Sequence, residues 1–233
     1  LYDRDEQPPI VTDRPDFTES SLVVPTGTTQ VETGLTWEQS DDSRSFAGPE
    51  ALIRRSLADK VELRVGVPLY QRVRSDGEDL EGFDDLYLGF KVQLASSEAE
   101  SQAALIPAVQ IPVGRRELAS EATTLDLKLV WAHQLPGGLG LSGMVYYSNP
   151  QQDGSRVDTW EHTLSLGIPL KDRYAMFVEH VVDFSRTSAP FHLLHTGVTY
   201  QPSPTSQFDL HLGLELSRTS GQRFVGVGYA VRF

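Results

Sequence analysis

From Gln30 onward, hydrophobic residues return at every second position in one segment after another. Val61, Leu63, Val65, Val67 and Leu69 share one parity, as do Leu86, Leu88, Phe90, Val92 and Leu94. The same holds for Val31, Leu35 and Trp37, for Leu125, Leu127, Leu129 and Trp131, and for Phe208, Leu210, Leu212, Leu214 and Leu216. A period of two marks strands with one apolar face. Clusters of Gly, Pro, Asp and Ser punctuate the pattern and predict strands near 29–38, 50–57, 61–72, 85–95, 103–113, 123–133, 139–148, 159–169, 174–184, 192–201, 207–216 and 223–233. That makes about twelve, an even number such as bacterial outer-membrane barrels have.

The connections alternate in kind. Leu57–Lys60, Gln134–Gly138 and Leu170–Arg173 are short turns, whereas 40–49, 74–84, 114–121 and 149–158 read as longer polar loops. Short turns at one end and long loops at the other are the asymmetry of a transmembrane antiparallel up-and-down β-barrel, with turns and both termini on the periplasmic side. Aromatic placement separates this reading from a soluble sandwich or lipocalin-like barrel. Trp37, Tyr147, Trp160 and Phe184 fall on the apolar parity at loop ends, and Trp131, Tyr174, Tyr200, Phe208 and Phe233 at turn ends. Two aromatic rings around an aliphatic band are the girdles of a membrane barrel, where a sandwich would hold its large aromatics near mid-strand.

Composition narrows the chemistry. The 233 residues suit one large β-domain, and the mean hydropathy of -0.28 excludes a helical membrane protein but not a barrel with a polar lumen. There is no cysteine, hence no disulfide, thiol nucleophile or Cys-based metal site. A net charge of -12 without a basic stripe argues against nucleic acid. No nucleotide or cofactor motif is evident, so no cofactor is expected and any solute would move down its gradient. The stretch Arg223–Phe233 alternates Val225, Val227, Tyr229, Val231 and Phe233 against small residues and ends on an aromatic. Such an ending looks like the closing strand of an outer-membrane barrel, with Phe233 as the signal to the barrel assembly machinery. No leader precedes Leu1, so an exported chain would have lost its signal peptide.

The first 28 residues are different. Pro8, Pro9, Pro15 and Pro25 each remove a ladder donor, which makes this an irregular arm. Two units are therefore expected, an arm over 1–28 and a barrel over 29–233. Within the arm stands Asp13-Arg-Pro-Asp-Phe-Thr-Glu-Ser20, followed by Val24-Pro25, Gln30–Gly34, Leu52–Arg54 and Leu57–Arg64. This succession resembles the MetA-pathway phenol-degradation family of outer-membrane proteins, often called transporters. The resemblance implies a barrel, an outer-membrane address and passage of hydrophobic or aromatic compounds.

The parity opposite the apolar one gathers Glu32, Glu62, Asp85, Asp126, Glu161, Glu179, Asp183, Asp209 and Glu215 with Arg54, Arg64, Lys91, Lys128, His211 and Arg232. With lipid outside, these charges face the lumen, either as a solute pathway with an acidic excess favouring cations or as ion pairs bracing a closed barrel. Glycines 34, 66, 89, 167, 197, 213, 226 and 228 share this inner parity and leave room for inserted chain or ligand. Ile10, Val11, Phe17, Leu22, Val23 and Val24 make the arm too apolar for a solvated tail, which suggests a plug. Arg14 would then meet inner acids, while Asp16 and Glu19 would meet Arg54, Arg64 or Arg232.

A lipid-modifying enzyme is the weakest reading. His162 and His180 lie on the outer parity of consecutive strands, but Ser148 and Ser165 point inward, so no nucleophile is in reach. His192, His195 and His211 lack metal-ligand spacing and read as wall histidines. The acidic loop 74–85 has enough oxygens for calcium, yet an acid run on a loop is ordinarily solvated. The expectation is a passive outer-membrane channel, not an enzyme, without metal, surrounded by lipid and lipopolysaccharide. Its rival is a closed barrel anchoring a larger membrane complex through its loops or arm.

Overall fold

Alternating side chains leave a strand with two unlike faces, and a closed sheet is the arrangement that gives one face to each side with no edge exposed. The computed structural model describes residues 8–75, 77–185 and 189–233. Residues 1–7 of the arm and Asp76 of the acidic loop lie outside that description. The strands are β1 (Thr29–Gln39), β2 (Ser43–Ala58), β3 (Val61–Val67), β4 (Tyr70–Ser75), β5 (Glu78–Phe83), β6 (Leu86–Gln93), β7 (Ser101–Ile111), β8 (Thr124–Gln134) and β9 (Gly140–Ser148). After the small ladder β10 (Gln151–Gln152) and β11 (Ser155–Arg156) come β12 (Thr159–Pro169), β13 (Tyr174–Ser185), β14 (Phe191–Ser203), β15 (Ser206–Glu215) and β16 (Arg223–Arg232).

Each barrel strand pairs antiparallel with its neighbours, and β1 pairs with both β16 and β2, which closes the sheet. Breaks at Pro68–Leu69 and Asp84–Asp85 divide two long strands into β3 with β4 and β5 with β6, so the wall is a twelve-stranded antiparallel barrel. No helix among the described residues is long and apolar enough to cross a membrane, which says nothing of a barrel.

Two segments read as loops are largely strand instead. β2 begins at Ser43, so only 40–42 connect it to β1, and most of the expected loop 74–84 belongs to the hairpin β4–β5, which lies beyond the barrel's apolar band. Neither has a continuous apolar face, and such a strand leaves no period of two. The hairpin acids are engaged with each other's strands: Asp79 binds Arg72 at 2.5 Å and Arg74 at 3.1 Å, and Tyr70 donates to Glu81 at 2.9 Å.

The outer face carries the aliphatic parity. Leu125, Leu127, Leu129, Leu210, Leu212 and Leu214 are all exposed there, as a lipid-facing wall requires. Aromatic pairs bracket it across adjacent strands. Tyr147 and Trp160 lie 4.9 Å apart at the loop end, while Tyr174 stacks on Tyr200 at 4.7 Å and Phe208 meets Tyr229 at 4.8 Å at the turn end. Each such contact contributes about 0.5–1.5 kcal/mol beyond burial.

Candidate functional site: a lumen occupied by the arm

The prolines keep the arm out of the sheet, and most of its bonds run to side chains of the inner wall. At the turn end, Ile10 N–H donates to Pro204 O at 2.7 Å, and Gln201 returns a bond to Ile10 O at 3.0 Å. The chain then rises into the lumen. Ser20 N–H donates to Asp13 Oδ1 at 2.8 Å, so residues 13–20 form a loop pinned by its own first carboxylate. Descending again, Leu22 O accepts from Arg54 at 2.9 Å and Val24 N–H donates to Glu62 at 2.8 Å. Ile10 and Val24 are buried by this path, whereas Val11 and Phe17 stay 40% and 37% exposed.

On the wall formed by β1–β3 and β6, five buried charges make a ladder: Glu32, Arg54, Glu62, Arg64 and Lys91. Arg54 bridges Glu32 at 2.9 Å and Glu62 at 2.8 Å, and Arg64 reaches Glu62 at 2.9 Å. Asp13 inserts among the three cations, bound by Lys91 at 2.8 Å, by Arg54 at 3.3 Å and by Arg64. Burial would raise its carboxyl, but Arg54, Lys91 and Arg64 together hold it well below the usual carboxylate range. Glu19 meets Arg64 at 2.7 Å and Lys128 at 2.5 Å. Buried charges survive only in such pairs.

On the opposite wall Glu179 holds the loop's tip. Its carboxylate accepts from Phe17 N–H at 2.9 Å, from Thr18 N–H at 2.7 Å and from the Thr18 hydroxyl at 2.6 Å. His195 Nδ1 lies 2.8 Å from the same carboxylate, and His195 Nε2 lies 3.0 Å from His211 Nδ1. His211 Nε2 is 3.4 Å from Arg14 Nη2, which also meets Asp209 at 3.3 Å, while Arg14 Nη1 pairs with Glu50. Phe17 sits edge-on to His195 at 5.0 Å.

The inner glycines have distinct neighbours. A Cβ at Gly34 would lie 2.4 Å from Arg14 Cζ, and one at Gly228 would lie 2.5 Å from Arg14 Nε. Gly226 makes room for the His211 ring and Gly213 for Phe224.

Placement differs from the sequence reading in several respects. Arg54 pairs with Asp13, a residue missing from the anticipated arm contacts, and Arg232 bonds to Pro8 O. Asp16 lies by Glu179 and bonds Ser165 at 3.5 Å instead of facing an arginine. Asp126 accepts from Gln110, Tyr146 and Ser148, and Glu161 faces Asp183 across β12 and β13. Glu215 sits at the loop end, where it accepts N–H groups of Thr219, Ser220 and Gln222. His180 partners His192, with Nε2 and Nδ1 3.2 Å apart, and not His162. Part of the inner wall is apolar: Ile106, Val130 and Met144 cluster on β7–β9. Sequence could not separate this patch from the outer face, because both parities there are apolar.

Above the loop 13–20 opens a vestibule of about 710 Å³. Its ionisable lining includes Glu38, Glu50, Asp84 and Asp85 near the rim, with Arg14, Arg64 and Lys128 deeper. Phe17, Leu52, Val67, Leu69, Leu118 and Phe224 supply apolar surface between them. Asp85 there accepts from Ser120 N–H at 3.1 Å.

The family model described as "Putative MetA-pathway of phenol degradation" matches residues 12–233. The chain belongs to this family. The match begins inside the arm, so the inserted loop 13–20 falls within it. No curated protein matches by sequence. Among solved structures, an outer membrane channel from Pseudomonas putida F1 superposes with a TM-score of 0.74 at 15% identity, covering 91% of this chain and 97% of that one. The NanC porin gives 0.62 at 7% identity, with 86% and 98% covered. The translocator domain of the autotransporter NalP from Neisseria meningitidis gives 0.60 at 11% identity, with 90% of each covered. At these identities the similarity is one of fold, and the fold is that of outer-membrane barrels.

Proposed function

We propose that this protein is a passive channel of the bacterial outer membrane for small neutral or cationic solutes, aromatic ones among them, with the arm as its gate. The observation that carries this is how the lumen is filled. The arm is held mainly by side-chain bonds and ion pairs, not by strand pairing, so it can leave without opening the wall. Ion pairs exchange one by one with water, whereas a strand must break its whole ladder.

The vestibule supports the choice of solute. Its lining holds more carboxylates than cations, and the acids nearest the rim would repel anions before they reach the gate. Apolar and aromatic surface beside those acids offers neutral ring compounds a stacking wall. The family description, which names phenol degradation, points to the same class. The loop ends then face outward and the short turns face the periplasm.

Planar-bilayer recording of the full chain and of a chain lacking residues 1–26 tests this reading. Small conductance in the first, a larger cation-preferring conductance in the second and block by added phenolic solutes are expected. Silence in both would leave a closed barrel serving as an anchor.

A further inference from the structure

The hydrogen bonds from Glu179 to Arg14 form one continuous chain: Glu179 to His195, His195 to His211, His211 to Arg14. Both ends grip the arm. Glu179 binds the backbone of Phe17 and Thr18, and Arg14 belongs to the arm itself. His195 is fully buried and His211 nearly so.

Tautomers along such a chain are not free. An ionised Glu179 only accepts, so His195 Nδ1 carries a proton and donates. With His195 neutral, its Nε2 has a lone pair and must receive the proton of His211 Nδ1. With His211 neutral, its Nε2 has a lone pair in turn, and Arg14 donates to it. When both imidazoles are neutral, every link runs in one direction, from the guanidinium to the carboxylate.

One added proton reverses the far link. Placed on His211 Nε2, it sets N–H against the N–H of Arg14 and cation against cation. Placed on His195 Nε2, it turns that nitrogen into a donor, His211 switches tautomer to accept at Nδ1, and its Nε2–H again faces Arg14. Asp209 and Glu50 still attract the guanidinium from β15 and β2. Gly34 and Gly228 bound the guanidinium on the wall side, so its way out of that clash is toward the vestibule, which Arg14 also lines.

We propose that this chain is a proton-read latch, closed on the arm while His195 and His211 are both neutral and released at Arg14 when either takes up a proton. It deepens the channel reading and rests on it. The groups that face the pair are Glu179 from β13, with Asp16 and Glu161 beside it, Arg14 from the arm, Asp209 from β15 and Glu50 from β2. The rings of Phe17, Phe177 and Phe224 pack against His195. Glu179 is the counter-charge that a proton on His195 would meet, while Arg14 is the group that cannot coexist with one on His211.

The test uses the full chain in planar bilayers as pH falls from about 8 to about 5, a range that brackets the unperturbed imidazole value of about 6.5. Conductance should rise severalfold. The double variant H195Q/H211Q, which cannot titrate, should lose that response, and Arg14→Gln should conduct at pH 8 as the parent does at pH 5. A direct readout of arm position is available because the chain has no cysteine. Thiol labelling at Ser21→Cys, normalised to the exposed Ser155→Cys, should increase severalfold on acidification in step with conductance. Flat conductance and flat labelling in the parent, an unchanged pH response in the double variant, or an Arg14→Gln chain that stays shut at pH 8 would each overturn the latch. A chain lacking residues 1–26 keeps the two readings apart: if it conducts while the parent ignores pH, only the latch fails, and if it is silent the channel reading fails.

Discussion

Gly34 and Gly228 face each other across the seam between β1 and β16, and the guanidinium of Arg14 occupies the space where their side chains would stand. The barrel wall therefore shapes the socket for the arm, and the two smallest residues set its depth. Gly34→Val or Gly228→Val should expel Arg14 and raise conductance at neutral pH. Heat-modifiable gel migration should remain, because valine suits a strand.

Removing Arg54 would have the opposite emphasis. Arg54→Ala leaves Glu32, Glu62 and Asp13 buried with one shared counter-ion fewer. Loss of one partner of a buried pair costs roughly 3–5 kcal/mol. Unfolding in denaturant should shift accordingly, and adding Glu62→Gln should recover part of the loss by removing a stranded charge.

Glu179→Ala should free the tip of the arm while sparing the barrel. It deletes the acceptor for Phe17 N–H, Thr18 N–H and the Thr18 hydroxyl. Protease cleavage within the arm should become faster than in the parent, with resistance of the strands unchanged.

At the vestibule rim, Glu38→Gln with Glu50→Gln should lower cation preference. Reversal potentials in a salt gradient measure it, and a shift toward zero is expected. Glu50→Gln also removes one partner of Arg14, so a rise in open probability should accompany the change.

The β4–β5 hairpin offers a pH test outside the barrel. Hydrogen bonds from Arg72 hold the Asp79 carboxyl at about 2. A depressed carboxyl contributes its stabilisation above its unfolded value of about 3.9, and that contribution fades as pH falls toward the folded one. NMR of the hairpin should show the pairing intact at about pH 4 and half lost near pH 2. Asp79→Asn should abolish the transition.

The wall was legible because lipid demands apolar side chains at every other position, as in Leu125, Leu127 and Leu129. The far part of the hairpin, 74–83, and the start of β2 at Ser43 had no such demand and read as loops. Inner charges could be placed on a face but not in pairs, since Asp13 meets Lys91 across 78 positions and nothing local marks the partnership. Asp13 itself begins the arm signature yet drew no role, because its value lies in three cations supplied by separate strands. His195 read as an ordinary wall residue, and only the sheet register brings it between Glu179 and Gly213.

The arm's partners are scattered unevenly through the chain. Asp13 finds Lys91 after 78 residues, but Thr18 waits for Glu179 after 161 and Arg14 for Asp209 after 195. A segment synthesised before every barrel strand thus depends on some of the last of those strands. Loop closure over such separations is slow and comes after local hairpins form. Until β13 and β15 are in place, the arm can dock on only one side of the lumen.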